Sequence, residues 1–190
     1  MTRFALMIIL AYVAGSVNFS ILLFRFLGLQ DPRSRFSGNP GASNVYRQAG
    51  PVWAAVVLLL DMGRAAAVSL AALHLLPLSR VPWIGMALIV GNAYPCFHGL
   101  RGGKGVANYL GFGAVLSPWA ALAGVAAWGA VFARWRKAFL SSFALVLVLA
   151  VGMLIACGAG PVPLAGTLLT AGFIFWRHRR NVRELMAERR

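Results

Sequence analysis

Three stretches of this 190-residue chain concentrate side chains able to do chemistry, and all three suit the handling of phosphate. The densest is Arg101-Gly102-Gly103-Lys104-Gly105, directly ahead of an apolar run. Opening a helix, it would aim an ammonium, backbone N–H groups and the positive end of a helix dipole at one anion. The nucleotide-binding P-loop is a poor description of it. That motif's first glycine would fall on His98, and Gly105 stands where Ser or Thr should follow the lysine. The bland alternative is a basic, glycine-rich interfacial loop touching anionic lipid.

A second stretch runs from Asp31 to Asn44 and carries Arg33, Arg35, Ser37, Asn39, Ser43 and Asn44 among turn-forming glycines. Such a loop can present N–H groups and cations to a phosphate. A solvated connector explains the residue types but not their density. The third stretch runs from Arg177 to Arg190. His178 and Asn181, three apart, share one face if it is helical, with Glu184 and Glu188 in reach of the arginines. Taken alone, it reads best as a polybasic tail on lipid headgroups. Elsewhere Cys96 and Cys157 have neither CxxC nor histidine spacing, so no disulfide framework or metal site is expected. Asp61 and Arg64, three apart in an apolar run, should form an ion pair. His74 reads as interfacial and His98 as structural.

The elements that must position these groups are read from composition. Sixty per cent of residues are hydrophobic, mean hydropathy is +0.76, and 18 Lys+Arg against 4 Asp+Glu give a net charge of +14. So basic a soluble chain would suggest nucleic acid, but a globule this small cannot hide so much apolar surface, and its solvent is lipid. No nucleic-acid partner is expected. Apolar blocks Phe4–Leu27, Pro51–Leu75, Pro82–Phe97, Phe139–Cys157 and Pro163–Trp176 read as spans. No small-residue cleavage site follows the first, which is therefore read as an anchor rather than a leader. As one helix, Gly105–Trp135 would be about 31 residues and roughly 46 Å, too long without steep tilt. Ser117-Pro118 breaks it into Gly105–Leu116 and Pro118–Trp135.

The expected fold is thus an all-α integral membrane protein. It is a single polytopic domain over residues 1–190, a bundle of about seven transmembrane helices with the N-terminus outside and the C-terminus cytoplasmic. That orientation puts 15 of the 18 cations on the cytoplasmic face, leaving Arg3 and Arg80 outside and Arg64 within a span. The polar loops 28–50, 91–108 and 177–190 all meet on that face.

These three segments resemble the three signature motifs of the bacterial acyl-phosphate:glycerol-3-phosphate acyltransferases, the PlsY family. The family's first motif opens with Gly-Ser and runs to Gly-Ser-Gly-Asn, Gly and Thr-Asn. Here it reads Gly15-Ser16, then Asp31, Arg33, Ser37-Gly38-Asn39, Gly41 and Ser43-Asn44. The second, Gly-His, Pro, Phe, then Lys-Gly-Gly-Lys-Gly-Val-Ala, reads Gly91-Asn92, Pro95, Phe97 and Arg101-Gly102-Gly103-Lys104-Gly105-Val106-Ala107. The third, Arg-His-Arg-x-Asn-Ile, reads Arg177-His178-Arg179-Arg180-Asn181-Val182. Asn92 stands for the family's His, Asn18 for a Pro, Phe36 for a Gly and Arg64 for a Lys.

The resemblance implies transfer of a fatty acyl group from acyl-phosphate to glycerol 3-phosphate, at a multi-pass site facing the cytoplasm in the bacterial inner membrane. It implies no cofactor and no metal. Its motifs carry the catalytic roles onto Lys104, Ser37, His178 and Asn181. Substrate contacts fall on Arg33, Asn39, Ser43, Asn44, Asn92, Arg101, Gly102, Gly103 and Gly105. In detail, Lys104, Arg33 and the Gly102–Gly103 backbone would hold phosphate, while His178 and Asn181 position the glycerol hydroxyl. Either His178 or a substrate phosphate oxygen would take the proton. Two other classes stay open: a transporter of phosphorylated solutes, although no internal repeat is visible, and a degenerate member that binds phospholipid precursors without turnover. The sequence does not set the oligomeric state.

Overall fold

The computed structural model describes residues 1–187, and those residues form helices and turns with no strand. Ten α-helices follow one another: α1 Thr2–Ser16, α2 Phe19–Phe26, α3 Ala42–Ala49, α4 Pro51–Leu75, α5 Val81–Ala93, α6 Val106–Leu116, α7 Pro118–Trp135, α8 Ala138–Cys157, α9 Pro161–Arg177 and α10 Arg179–Ala187. Proline sits in the first turn of α4, α5, α7 and α9, where its missing N–H costs no hydrogen bond. The break at Ser117-Pro118 falls where expected. Glu188, Arg189 and Arg190 lie outside the described residues.

Three sequence expectations are corrected. The first apolar block is not one helix. Asn18 accepts the Ile21 N–H through its side chain, at 3.1 Å, and so caps α2 and separates it from α1. The third block begins at Val81 and stops at Ala93, because Tyr94 precedes Pro95 and takes non-helical angles. Segment 28–50 is not a continuous loop. It contains a 3-10 turn at Pro32–Ser34 and the short helix α3, whose Val45 is fully buried against Phe24, Ala54 and Val57.

The helices pack as neighbours α1 on α5, α4 on α6, α7 on α8 and α5 on α9. Contact between α1 and α5 is backbone-close: a Cβ on Gly15 would strike the Leu88 carbonyl, and one on Gly91 the Tyr12 carbonyl. The core runs through Ile84, Leu88, Ile89, Tyr109, Phe112, Leu149 and Ile174. Large apolar side chains also cover the outside, with Leu59, Trp119, Ile155 and Leu168 all more than half exposed. Thr2–Phe26, Pro51–Leu75 and Ala138–Cys157 are long and apolar enough to cross a bilayer. An apolar exterior of this kind is solvated by lipid, so the chain is a membrane protein.

The charged groups inside the bundle are paired. Arg64 meets Asp61 at 3.0 Å and donates to Asn108 of α6. It also donates to the Val17 carbonyl, one of those left without a helical partner where α1 ends. Its guanidinium lies 5.1 Å from the Phe19 ring. This one side chain ties the α1–α2 break to α4 and to the start of α6.

Candidate functional site

Loop 94–105 folds back onto the helix it leaves. Gly102 N–H donates to the Ala93 carbonyl at 3.1 Å, and Gly103 N–H to the Asn92 carbonyl at 2.9 Å. A Cβ on Gly102 would collide with the Asn92 carbonyl and the Pro95 ring, so the turn closes only with glycine there. The expectation that these two N–H groups hold phosphate is therefore corrected: both are spent inside the loop. Asn92 is buried and anchors the turn through its backbone. Gly105, at φ 88°, makes the left-handed step that redirects the chain into α6 just after Lys104.

Lys104 is where the second and third motifs meet. Its Nζ donates to Asn181 Oδ1 on α10. Next to Asn181, at the corner between α9 and α10, His178 is 3% exposed, and its Nδ1–H donates to the Ile174 carbonyl at 2.9 Å. A carbonyl only accepts, so Nδ1 carries the proton and Nε2 the lone pair. Phe143 packs edge-on against the ring at 5.3 Å. Arg177 fastens the corner to the loop, donating to the Gly102 and Gly103 carbonyls at 3.2 and 3.3 Å and lying 5.1 Å from the Tyr94 ring. The sequence placed Arg177 in a motif but gave it no task. Its signal was adjacency to His178.

Burial pushes Lys104 down to about 8, with Arg177, Arg180 and Arg47 adding repulsion against the opposing pull of Glu184. Burial likewise pushes His178 down to about 4, with the Lys104 charge second. The corner is thus an electropositive site short of counter-charge, beside a neutral imidazole. Arg47, in the last turn of α3, brings the first motif toward the same lysine and went unassigned in the sequence. Ser37 and Asn39 are half-buried on that loop, joined by an Asn39 N–H to Ser37 Oγ contact of 3.4 Å. Ser43 is exposed on α3. Asn44 is buried and spends its amide on the Pro32 and Arg35 carbonyls, at 2.8 and 3.4 Å, so it braces the loop.

Arg33 and Arg101 fall elsewhere. Arg33 holds Asp31 at 2.6 Å and donates to the His98 and Arg101 carbonyls at 2.7 and 2.9 Å. Its contacts use four of about five N–H groups, so Arg33 is first a strut between the first and second motifs. The hydrogen-bonded Arg33 guanidinium holds the Asp31 carboxyl below the usual range. With Arg25, Asp31 and His98, Arg33 and Arg101 line a cavity of about 570 Å³ that shares no lining residue with the Lys104 corner. Among the described residues, no group of three or more His, Cys, Asp or Glu could hold a metal ion.

Comparison with known proteins gives the same picture. A sequence profile of the family described as glycerol-3-phosphate acyltransferase matches residues 5–188. The glycerol-3-phosphate acyltransferase of Pseudomonas aeruginosa (strain LESB58) is 43% identical over 185 residues, covering 97% of this chain and 96% of its own. Crystal structures of PlsY, an integral membrane glycerol 3-phosphate acyltransferase, superpose closely. Its glycerol 3-phosphate form has a TM-score of 0.90 at 30% identity, and its lysophosphatidic acid form 0.87 at 29%, each covering 98% of this chain and 93% of that one. A chain matched from end to end by profile, relative and fold, and carrying a lysine–asparagine–histidine corner on its motif segments, belongs to the glycerol-3-phosphate acyltransferase family of membrane acyltransferases.

Proposed function

We propose that this acyltransferase moves a fatty acyl group from acyl-phosphate to glycerol 3-phosphate, yielding 1-acyl-glycerol 3-phosphate and inorganic phosphate. The observation that carries the reading is the meeting of Lys104, Asn181 and His178 at one corner among Arg177, Arg180 and Arg47. Two phosphorylated substrates need that excess of positive charge. Support for the acceptor comes from the relatives' names and from the glycerol 3-phosphate form of PlsY.

Acyl-phosphate is an activated anhydride, so positioning and charge neutralisation carry most of the catalysis. The glycerol hydroxyl oxygen attacks the acyl carbonyl carbon, the bond from that carbon to the phosphate oxygen breaks, and phosphate leaves with the electron pair. Lys104, held by Asn181, neutralises the departing charge, with Ser37 and Asn39 orienting the phosphate. His178 Nε2 accepts a hydrogen bond from the hydroxyl and aims it. With its pKa near 4, the imidazole is a weaker base than a phosphate oxygen, whose second pKa is about 6. The hydroxyl proton therefore passes to phosphate. Arg33, Asn44, Asn92, Gly102, Gly103 and Gly105 hold the loops in shape, Ser43 lies at the edge where substrate enters, and Arg101 stands apart from the corner.

The proposed setting is the bacterial inner membrane, crossed seven times with the motifs facing the cytoplasm. It rests on the clustering of Lys and Arg in the loops. The test is phosphate release from acyl-phosphate by protein in liposomes, with and without glycerol 3-phosphate, with acyl-CoA and acyl carrier protein donors alongside. Release that depends on glycerol 3-phosphate is expected with acyl-phosphate alone. Equal transfer from acyl-CoA would overturn the donor, and unchanged turnover in His178→Gln would remove the positioning role.

A further inference from the structure

The cavity beside Asp31 is built for a ligand that the reaction at Lys104 does not account for. Its volume of about 570 Å³ falls in the range of small-molecule sites, about 300–1,000 Å³. Three arginines, Arg25, Arg33 and Arg101, line it against the single carboxylate of Asp31. Asp31 locks Arg33 in place, whereas the side chains of Arg25 and Arg101 make no hydrogen bond or ion pair among the described residues. His98, 7% exposed, is part of the lining. Its Nε2 lies 3.5 Å from the Asn18 N–H and accepts from it, so Nδ1 carries a proton, and that buried donor has no acceptor.

Phe97 lines the cavity and is 57% exposed, and Leu100, between the lining residues Gly99 and Arg101, is 56% exposed. Free cations next to bare apolar side chains suit a molecule with an anionic head and a hydrocarbon tail. A small soluble phosphate would leave Phe97 unused. Phosphate monoesters supply up to two negative charges and three acceptor oxygens, matching guanidinium forks.

We propose that this cavity is a second anion site, separate from the Lys104–His178 corner, which takes the phosphoryl headgroup of a phosphate-monoester lipid from the surrounding bilayer. Its occupant rests on the membrane with its head in the arginine cluster and its tail along Phe97 and Leu100. The site shares loop 94–105 with the reaction centre, and Arg33 fastens it there through the His98 and Arg101 carbonyls.

Native mass spectrometry of the full chain released from lipid nanodiscs tests this directly, without turnover. Phosphatidate is the probe, phosphatidylcholine the zwitterionic control, and inorganic phosphate the soluble one. Wild-type protein and Lys104→Ala should both retain one phosphatidate in preference to phosphatidylcholine. Arg25→Gln and Arg101→Gln should each weaken retention about tenfold, the weight of one charge-assisted hydrogen bond, with circular dichroism showing the fold intact. Inorganic phosphate should not displace the lipid. Equal retention of the two lipids, retention unchanged in both cavity variants, loss in Lys104→Ala but not in Arg25→Gln, or binding of inorganic phosphate in place of phosphatidate would each overturn the assignment.

Discussion

Lys104 titrates within reach of an ordinary assay, and its charge state should govern capture of the phosphorylated acceptor. Burial and three arginines bring its pKa to about 8 in the free protein. The cation is the binding form, so activity is present below that value and lost above it. With half the lysine charged at pH 8, about one-tenth remains at pH 9, and kcat/KM for glycerol 3-phosphate should fall about tenfold per unit beyond. Bound phosphate reverses the balance. A unit charge about 4 Å away at an effective dielectric near 20 is worth about 4 kcal/mol, or about three pKa units. The basic limb of kcat should therefore lie above about pH 10. Initial rates of phosphate release, corrected for spontaneous hydrolysis of acyl-phosphate, give both profiles. Lys104→Arg keeps a permanent charge and should lose the limb at pH 8 from kcat/KM, whatever its absolute rate. A limb still at 8 in that variant, or one shared by kcat and kcat/KM in the wild type, would show that another group titrates.

Three further outcomes are expected. Phe36 sits at φ 52°, so Phe36→Gly should raise thermal stability by about 0.5–1 kcal/mol after the entropy of glycine is set against the strain relieved; Phe36→Val should lower it, both read as unfolding midpoints in detergent. Arg64→Met strands the buried Asp61 carboxylate and should cost about 3–5 kcal/mol, most of it recovered in Asp61→Leu with Arg64→Met, measured by thermal unfolding. Gly102→Ala, whose methyl would meet the Asn92 carbonyl, should cut kcat/KM more than about tenfold, whereas Gly129→Ala, with open space around it, should leave it unchanged.

Hydropathy and proline punctuation made most of the bundle legible. The bounds of α4 and the hinge at Ser117-Pro118 coincide with the sequence reading because proline leaves a local mark that needs no tertiary partner. The break after Ser16 was hidden because a single capping asparagine is a weak polar signal inside a long apolar run. In the site, residue types were readable and hydrogen-bond partners were not. Lys104 stood out by chemistry and His178 only through the family resemblance, and nothing in Gly102-Gly103 announces that their N–H groups turn back onto Ala93 and Asn92. Arg33 looked like a free phosphate ligand because its carbonyl partners lie 65 and 68 residues away in the chain. Asn44 was similarly read as a contact residue and proves to be a brace.

The bond from Lys104 to Asn181 also orders events in time. The two residues are 77 positions apart, so at about 5–20 residues per second the ribosome needs roughly 4–15 s to make the second after the first. During that interval α6 to α9 are being made, the spanning α8 among them, while the lysine has no asparagine to hold it and the imidazole of His178 has not been synthesised. The nascent chain is silent until α10 docks. Assembly of α6 to α9 is thereby complete before turnover begins, and a half-made chain has no complete corner with which to turn substrate over.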